Sequence, residues 1–358
     1  MSLQALADRR RFLALAMGGV SALAWSGVVS AQTAPPPVRR RGAVDEHSVT
    51  SAVKIEVKAR PLPSFDLRDR TKLRFGMLQY RSGVALTSSY PGFGGLSGIR
   101  LDATGQRFLA ISDKGGWFTG RIVYSGREIA GLADVEAAPL LGPDARPITD
   151  RGWYDSEALA RDGDTVYVGL ERVNQLLRYD FGKGGTGARG EIVPLPPAAK
   201  RLPNNKGLEA LVVVPTGLPL AGTVIALSER GMDANGNLLA FLIGGPSPGQ
   251  FSLVRSDDFD VSDAVLLPSG DLLVLERKFS LLSGVGIRIR RLTLAQIAPG
   301  ALVEGPAIFT ADLGQEIDNL EGIDAHVTAQ GETVLTLVSD DNFSMIQRTL
   351  LLQFTLLE

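Results

Sequence analysis

The chain has 358 residues, 44% of them hydrophobic and 21% charged, with 41 Gly and 20 Pro, the composition of a turn-rich globular protein. It contains no Cys and only two His, His47 and His326, which excludes disulfides, thiolate metal sites, a cysteine nucleophile, a lipoprotein anchor, a multi-histidine zinc site and histidine-phosphatase chemistry. Formal net charge is -2; taking away the +2 of residues 1–31 and the +1 of residues 32–52 leaves -5 on the body, which is no nucleic-acid footprint.

Arg9, Arg10 and Arg11 precede an apolar run over residues 13–29 that ends in the small residues Val29, Ser30 and Ala31. This is the layout of a secretory signal cleaved after Ala31. Arg9–Arg10 followed by Phe12–Leu13 resembles the twin-arginine export motif, an address read by a receptor on folded cargo. It predicts a periplasmic or secreted protein that is free of the membrane once cleaved. An uncleaved anchor needs about 20 strongly apolar residues, and Gly and Ser interrupt this shorter run. Residues 32–52 are Pro-rich and charged without apolar periodicity, the composition of an extended, disordered tether. His47 lies in that tether. Residues 53–358 are expected to form one domain.

Residues 72–88 alternate well enough for one long strand or a hairpin. Beyond them a unit recurs. Residues 155–172, D-S-E-A-L-A-R-D-G-D-T-V-Y-V-G-L-E-R, place an acid before a small and an aliphatic residue. A turn and an apolar strand follow, then a second acid with a cation after it. The pattern returns at 208–211 with 226–230, at 262–265 with 275–277, and at 320–323 with 339–341; an earlier copy at 96–99 with 112–114 has Ser97 in place of the first acid. The first column is therefore Ser97, Glu157, Glu209, Asp263 and Glu321, spaced by 60, 52, 54 and 58 residues. That period suits a four-stranded propeller blade with long loops.

The last copy ends one strand short. Its 38 residues (321–358) and the 24 of 73–96 together make 62, close to the other steps. The expected fold is thus an all-β propeller of five four-stranded blades, closed by the N-terminal strand in the last blade. Closure leaves no open sheet edges to aggregate. A sixth blade is the alternative, if residues 53–67 form more than a packed arm; their prolines argue against an interior strand.

In a propeller the first strand of each blade lines the channel, and its start meets the end of the second strand at one mouth. Nine acids are expected there: Asp113, Glu157, Glu171, Glu209, Glu229, Asp263, Glu276, Glu321 and Asp340, with Ser97 in the tenth place. Crowded carboxylates raise one another's pKa unless cations intervene. Lys114, Arg172, Arg230 and Arg277 follow second-column acids, whereas the last copy has Asp341 and then Asn342. Carboxylates without soft ligands suit a hard cation, and we expect Ca²⁺, held by Asp113, Glu157, Glu209, Glu229, Glu321 and Asp340. A small anionic substrate such as a phosphate ester is expected on Lys114, Arg172, Arg230 and Arg277. Glu321, Asp340 and Asp341 are the expected catalytic carboxylates, acting with metal-activated water. The competing reading makes each Glu-Arg unit an ion pair pinning blade to blade.

Trp117 with Phe118 and Trp153 with Tyr154 are candidate stacking residues in loops near the mouth, although blade packing is the commoner role for such aromatics. The loop 202–207, L-P-N-N-K-G, could offer amide and ammonium groups to an anion, or be an ordinary turn. A Ser-His-Asp triad would need His326, whose D-A-H setting within a strand lacks a nucleophile elbow.

The set S-D-K-G (112–115), D-S-E-A-L (155–159), G-L-E-A-L (207–211), L-S-E-R-G (227–231), N-L-E-G-I (319–323) and S-D-D-N-F (339–343) resembles the phytase-like family, exported bacterial proteins described as having "esterase-like activity of phytase". The resemblance runs from about Leu73 to the C-terminus. It implies a β-propeller, an extracytoplasmic location and hydrolysis of phosphate esters. A propeller that binds a ligand or protein at the same mouth without catalysis is the alternative.

Overall fold

The computed structural model describes residues 51–280 and 284–357. The signal assigned to 1–31, and all but the end of the tether assigned to 32–52, lie outside the described residues.

Five sheets follow one another along the chain, each running outward from an inner strand. The inner strands are Leu96–Leu101, Ser156–Asp162, Leu208–Val213, Asp260–Leu266 and Asn319–Val327, belonging to blades 1 to 5 in that order. Their partners one step outward are Arg107–Ser112, Thr165–Leu170, Thr223–Met232, Asp271–Ser280 and Thr333–Asp340. The inner strands do not alternate polar with apolar. Leu208–Val213 is buried through to Val212, because neighbouring blades cover both faces of a strand at the hub, as in any sheet packed on two sides.

The closing strand is Leu78–Ser88, which pairs antiparallel with Thr349–Leu356 in a register running from Thr349↔Leu86 to Leu356↔Leu78. Blade 5 is thereby made of both ends of the domain, and its edge is not left open to other chains. No sixth blade forms from residues 53–67. Val53–Lys54 pairs with the outer strand of blade 1, and Val57–Pro61 pairs with the outer side of Leu78–Ser88. The arm is therefore a strap across the outer edges of blades 1 and 5, and Pro61, unable to donate a ladder hydrogen bond, is at the end of an edge strand. Beyond it, Phe65 is fully buried among Phe75, Tyr80, Phe309 and Phe354, with ring centroids 4.8 to 6.0 Å away.

Apolar layers between blades form the core. Trp117 and Phe118 are on the strand Gly116–Ser125 rather than in a loop. Trp117 is wholly buried, its ring edge-on to Tyr179 and Phe181 at 5.1 and 5.0 Å, so it packs blade 1 on blade 2 and cannot stack on a substrate.

Arg100, buried on the inner strand of blade 1, spans the axis. Its guanidinium is bidentate to Asp263 of blade 4 (2.8 and 2.9 Å). It also donates to the carbonyls of Ile99, Leu211, Ala264 and Ile323, so blades 1, 3, 4 and 5 meet on one side chain. Asp263 further accepts the Ile323 N–H at 2.9 Å. The expectation that Asp263 joins the mouth is corrected: it is the counter-ion of Arg100 in the channel.

Glu276 is corrected likewise. It is buried between Arg288 (2.7 Å) and Arg290 within blade 4, and does not face the mouth.

Candidate functional site

The reason for both corrections is a bulge. Every inner strand carries one irregularity in its pairing near the mouth, where one residue has no partner opposite. The unpaired residues are Ser97, Glu157, Glu209, Ser262 and Glu321. An extra residue re-aims its own side chain, here toward the axis. In blade 4 that residue is Ser262, one before Asp263. The second strand is offset in step: Glu276 is opposite Val261, as Ser112, Ser228 and Ser339 are opposite Leu96, Leu208 and Leu320. The counterpart of Asp113, Glu171, Glu229 and Asp340 is therefore Arg277. A one-residue shift exchanges the faces of a strand, and it places a guanidinium among carboxylates.

Arg277 reaches Glu321 Oε1 directly, donates to Asn319 Oδ1, and lies 3.7 Å from both Glu209 and Glu229. Asn319 Nδ2 donates to the same Glu321 oxygen at 2.7 Å. Burial opposes the charge of Arg277, but Glu321, Glu209 and Glu229 around it hold its pKa above the ordinary value.

Glu171, Glu209 and Glu229 form a buried triad, one oxygen of each lying within 4.8 Å of the others. The loop 202–207 supplies part of its wall. The Gly207 N–H donates to Glu171 Oε1 at 2.8 Å, and Lys206 Nζ donates to both oxygens of Glu229 at 2.9 and 2.6 Å. The ammonium and amide anticipated from L-P-N-N-K-G thus meet an anion, and that anion is the protein's own. Glu209 Oε2, Asn174 Oδ1 and Ser262 Oγ are buried without hydrogen-bond partners. Asn174 Nδ2 is tied to the Leu202 carbonyl at 2.9 Å, and a Cβ on Gly207 would stand 2.6 Å from Asn174 Oδ1 and 3.0 Å from Glu171 Cγ. Only Gly at 207 leaves that oxygen its place.

The titration of the site follows its burial. Burial, then the neighbouring Glu229, pushes Glu171 up to about 7. Burial pushes Glu321 up to about 8 against the pull of Arg277. Asp340 rises to about 7 by burial with Asp113 and Asp341 nearby, and Asp113 to about 6 by burial. Burial first, and then Glu321 for Glu157 and Glu171 for Glu209, raise those two well above the carboxylate range. Burial and mutual repulsion thus favour protonated carboxyls in this site near neutral pH.

The remaining expected residues are dispersed. Lys114 Nζ lies 3.2 Å over the Phe343 ring and Arg172 5.9 Å over Tyr154. Arg230 pairs with Asp260 and so joins blade 3 to blade 4. That ion pair is of the blade-pinning kind, though to a residue outside the repeat pattern. Asp341 accepts the Gly95 N–H (3.0 Å), the Phe343 N–H (3.1 Å) and the Thr349 hydroxyl (2.9 Å), and so ties blade 5 to the entry of blade 1. Asp340 accepts the Asn342 N–H at 2.6 Å. His326 is near the far end of its inner strand, away from these groups. Asn174, Lys206, Ser262 and Asn319 join the site without having been singled out individually in sequence. Lys206 lies inside N-N-K-G, Asn319 opens N-L-E-G-I and Ser262 opens S-D-A-V, whereas Asn174 carried no local signal.

All side-chain donors of the triad are oxygens, which fits a hard cation, and Glu209 Oε2 and Asn174 Oδ1 are buried acceptors without a partner.

Similar solved structures include Myxococcus xanthus glutaminyl cyclase, at 12% identity and a TM-score of 0.38 over 74% of this chain and 92% of that one. Another is the Pan2 WD40 domain of Neurospora crassa, at 12% identity and 0.38 over 79% and 97%. A comparison with curated proteins returned no match. The phytase-like family, described as "Esterase-like activity of phytase", matches residues 91–343, more than half of the chain, and the chain belongs to that family.

Proposed function

We propose that the mouth of this propeller is the active site of an exported, metal-dependent hydrolase acting on small phosphate esters. The observation that carries the reading is the buried triad Glu171, Glu209 and Glu229 with two unpartnered acceptors, Glu209 Oε2 and Asn174 Oδ1, beside it. Three carboxylates shielded from water are unfavourable without a compensating charge; Glu171, Glu209 and Glu229 would hold a Ca²⁺ ion, which would supply that charge and Lewis-acid activation. Of the ligands anticipated from sequence, Glu209 and Glu229 belong to this triad. Asp113, Glu157, Glu321 and Asp340 belong to the proton-holding part of the mouth.

The chain's own groups divide the remaining work. Arg277, the guanidinium among the carboxylates, and Lys206 orient an anionic ester, while Lys114, Arg172 and Arg230 serve as outlying cations that steer it in. Asp340, with its pKa near 7, is balanced to accept a proton from the attacking water at neutral pH. Glu321, near 8, keeps its proton at that pH and can pass it to a leaving alkoxide. Asp341 acts on Asp340 through position and charge rather than on the substrate.

The test is turnover of p-nitrophenyl phosphate, bis-p-nitrophenyl phosphate and phytate by the mature protein. Activity is expected to vanish in EDTA, return with CaCl₂, and fall by about 10²- to 10³-fold in Arg277→Gln. Metal-replete protein inert on all three substrates would replace this reading with a propeller that binds a ligand or protein at the mouth without catalysis. The partial neutralisation of the carboxylates by Lys206 and Arg277 favours that second reading.

A further inference from the structure

At the end of the propeller away from the mouth, a cavity of about 770 Å³ opens between blades 5 and 1, lined among others by Arg81, Gln106, Tyr124, Arg127, His326 and Glu332. His326 is five residues along its strand from Glu321, ~16 Å at the rise of a strand, so the cavity is separate from the carboxylate mouth. Its walls come from the closing strand, from hairpins of blade 1, and from the end of the inner strand of blade 5.

Two nitrogens in these walls have no partner. The Arg81 side chain is 10% exposed; its Nη1 donates to Glu332 Oε2 (3.1 Å) and Thr355 Oγ1 (3.0 Å), but its Nε is buried without an acceptor. His326 Nδ1 is buried and unpartnered as well. The imidazole is packed close to Gly105 of blade 1, where a Cβ would stand 2.3 Å from Nε2, so the absence of a side chain at 105 gives the ring its place. Burial, and then the charge of Arg81, hold its pKa below the ordinary value, leaving a neutral ring that can donate from Nδ1.

The charge balance of the cavity is positive. Glu332 is shared by Arg81 and by Arg127, whose Nη2 is 2.6 Å from Glu332 Oε1 and whose side chain is 63% exposed: two guanidiniums for one carboxylate. Tyr124 is fully engaged, donating to the Gly105 carbonyl at 2.9 Å and accepting from Gln353 Nε2 at 2.8 Å, which makes the inner wall rigid. Arg127 and Glu332 form the solvent side.

We propose that this cavity is a second ligand site, which takes the oxyanion group of a small molecule, phosphate or carboxylate, on Arg81 Nε, His326 Nδ1 and Arg127. The oxyanion gives both unpartnered nitrogens an acceptor and offsets the surplus guanidinium. The site operates independently of chemistry at the mouth.

The two histidines make this directly observable. In full-length protein carrying His47→Gln, the ring of His326 is the sole imidazole, and its nitrogen resonances are followed by NMR during titration with inorganic phosphate and, separately, with succinate. A saturable shift is expected with at least one of them, and which one responds identifies the oxyanion. Arg127→Gln, at an exposed position that leaves folding intact, is expected to weaken that affinity about tenfold, whereas Glu209→Gln at the mouth leaves it unchanged. Absence of a saturable shift up to tens of millimolar of both ions overturns the proposal. So does an affinity insensitive to Arg127→Gln or dependent on Glu209.

Discussion

Replacing Arg100 by Met removes the side chain on which four blades meet and leaves its volume roughly filled. Asp263 then keeps the Ile323 N–H but loses both guanidinium hydrogen bonds, and the carbonyls of Ile99, Leu211, Ala264 and Ile323 lose a donor in a place closed to water. Breaking one side of a buried ion pair costs about 3–5 kcal/mol, a large share of the roughly 5–15 kcal/mol that holds a domain together. Burial already raises the Asp263 pKa against the pull of Arg100. Without the guanidinium Asp263 takes up a proton, so the deficit relative to wild type shrinks as pH is lowered. Urea unfolding followed by far-UV circular dichroism measures the loss. The double variant Arg100→Met/Asp263→Leu is expected to recover most of it, because the stranded charge is gone. A loss under about 1 kcal/mol for Arg100→Met, the range of an exposed ion pair, would refute the placement of Arg100 across the axis.

The carboxylates of the mouth make stability depend on pH in a stated direction. Glu321 near 8, Glu171 and Asp340 near 7 and Asp113 near 6 hold protons in the folded state that the unfolded chain has released, so the native state binds more protons between about pH 4.5 and 8. Their contribution is full below the unfolded values and lost as pH rises through the folded ones. The melting temperature in EDTA is thus expected to fall from pH 5 to pH 8, and CaCl₂ to raise it at pH 8 far more than at pH 5; a calcium response independent of pH would contradict the assignment. Gly207→Ala drives a methyl into Asn174 Oδ1 and Glu171 and is expected to cost about 1–3 kcal/mol and most of the calcium response, whereas Gly217→Ala, at an exposed turn whose Cβ meets nothing, keeps the calcium response. Arg9→Lys/Arg10→Lys is expected to stop export, with wild-type protein recovered outside the cytoplasm beginning at Gln32; export unaffected by the double change would remove the twin-arginine assignment.

The architecture was legible because it is repetitive. G-L-E-A-L, D-S-E-A-L and N-L-E-G-I each mark the start of an inner strand, and the shortfall of the last copy pointed to residues 73–96, within which Leu78–Leu86 pairs with Thr349–Leu356. The site was legible column by column wherever the acid column and the bulge coincide, at Glu157, Glu209 and Glu321. It misled in blade 4, where S-D-A-V matches S-E-A-L in chemistry while the bulge falls on Ser262.

What the amino-acid order determined by itself was the repeat, its circular closure and the abundance of carboxylates at strand ends, since periodic burial and turn residues are local properties; the choice of five blades over six waited on where residues 53–61 pair. Tertiary structure alone decided which carboxylates meet. Asp263 left the mouth because the bulge of its strand falls one residue early, on Ser262, and an arginine from the opposite side of the axis neutralises it where it then lies. Arg277 entered the mouth because a bulge one residue early turned its strand over. Asn174 and Lys206, ordinary turn residues in sequence, became part of the site because a neighbouring strand or hairpin brings Glu171 and Glu229 to them, and a buried charge is settled by whatever lies within hydrogen-bond reach rather than by its neighbours in the chain.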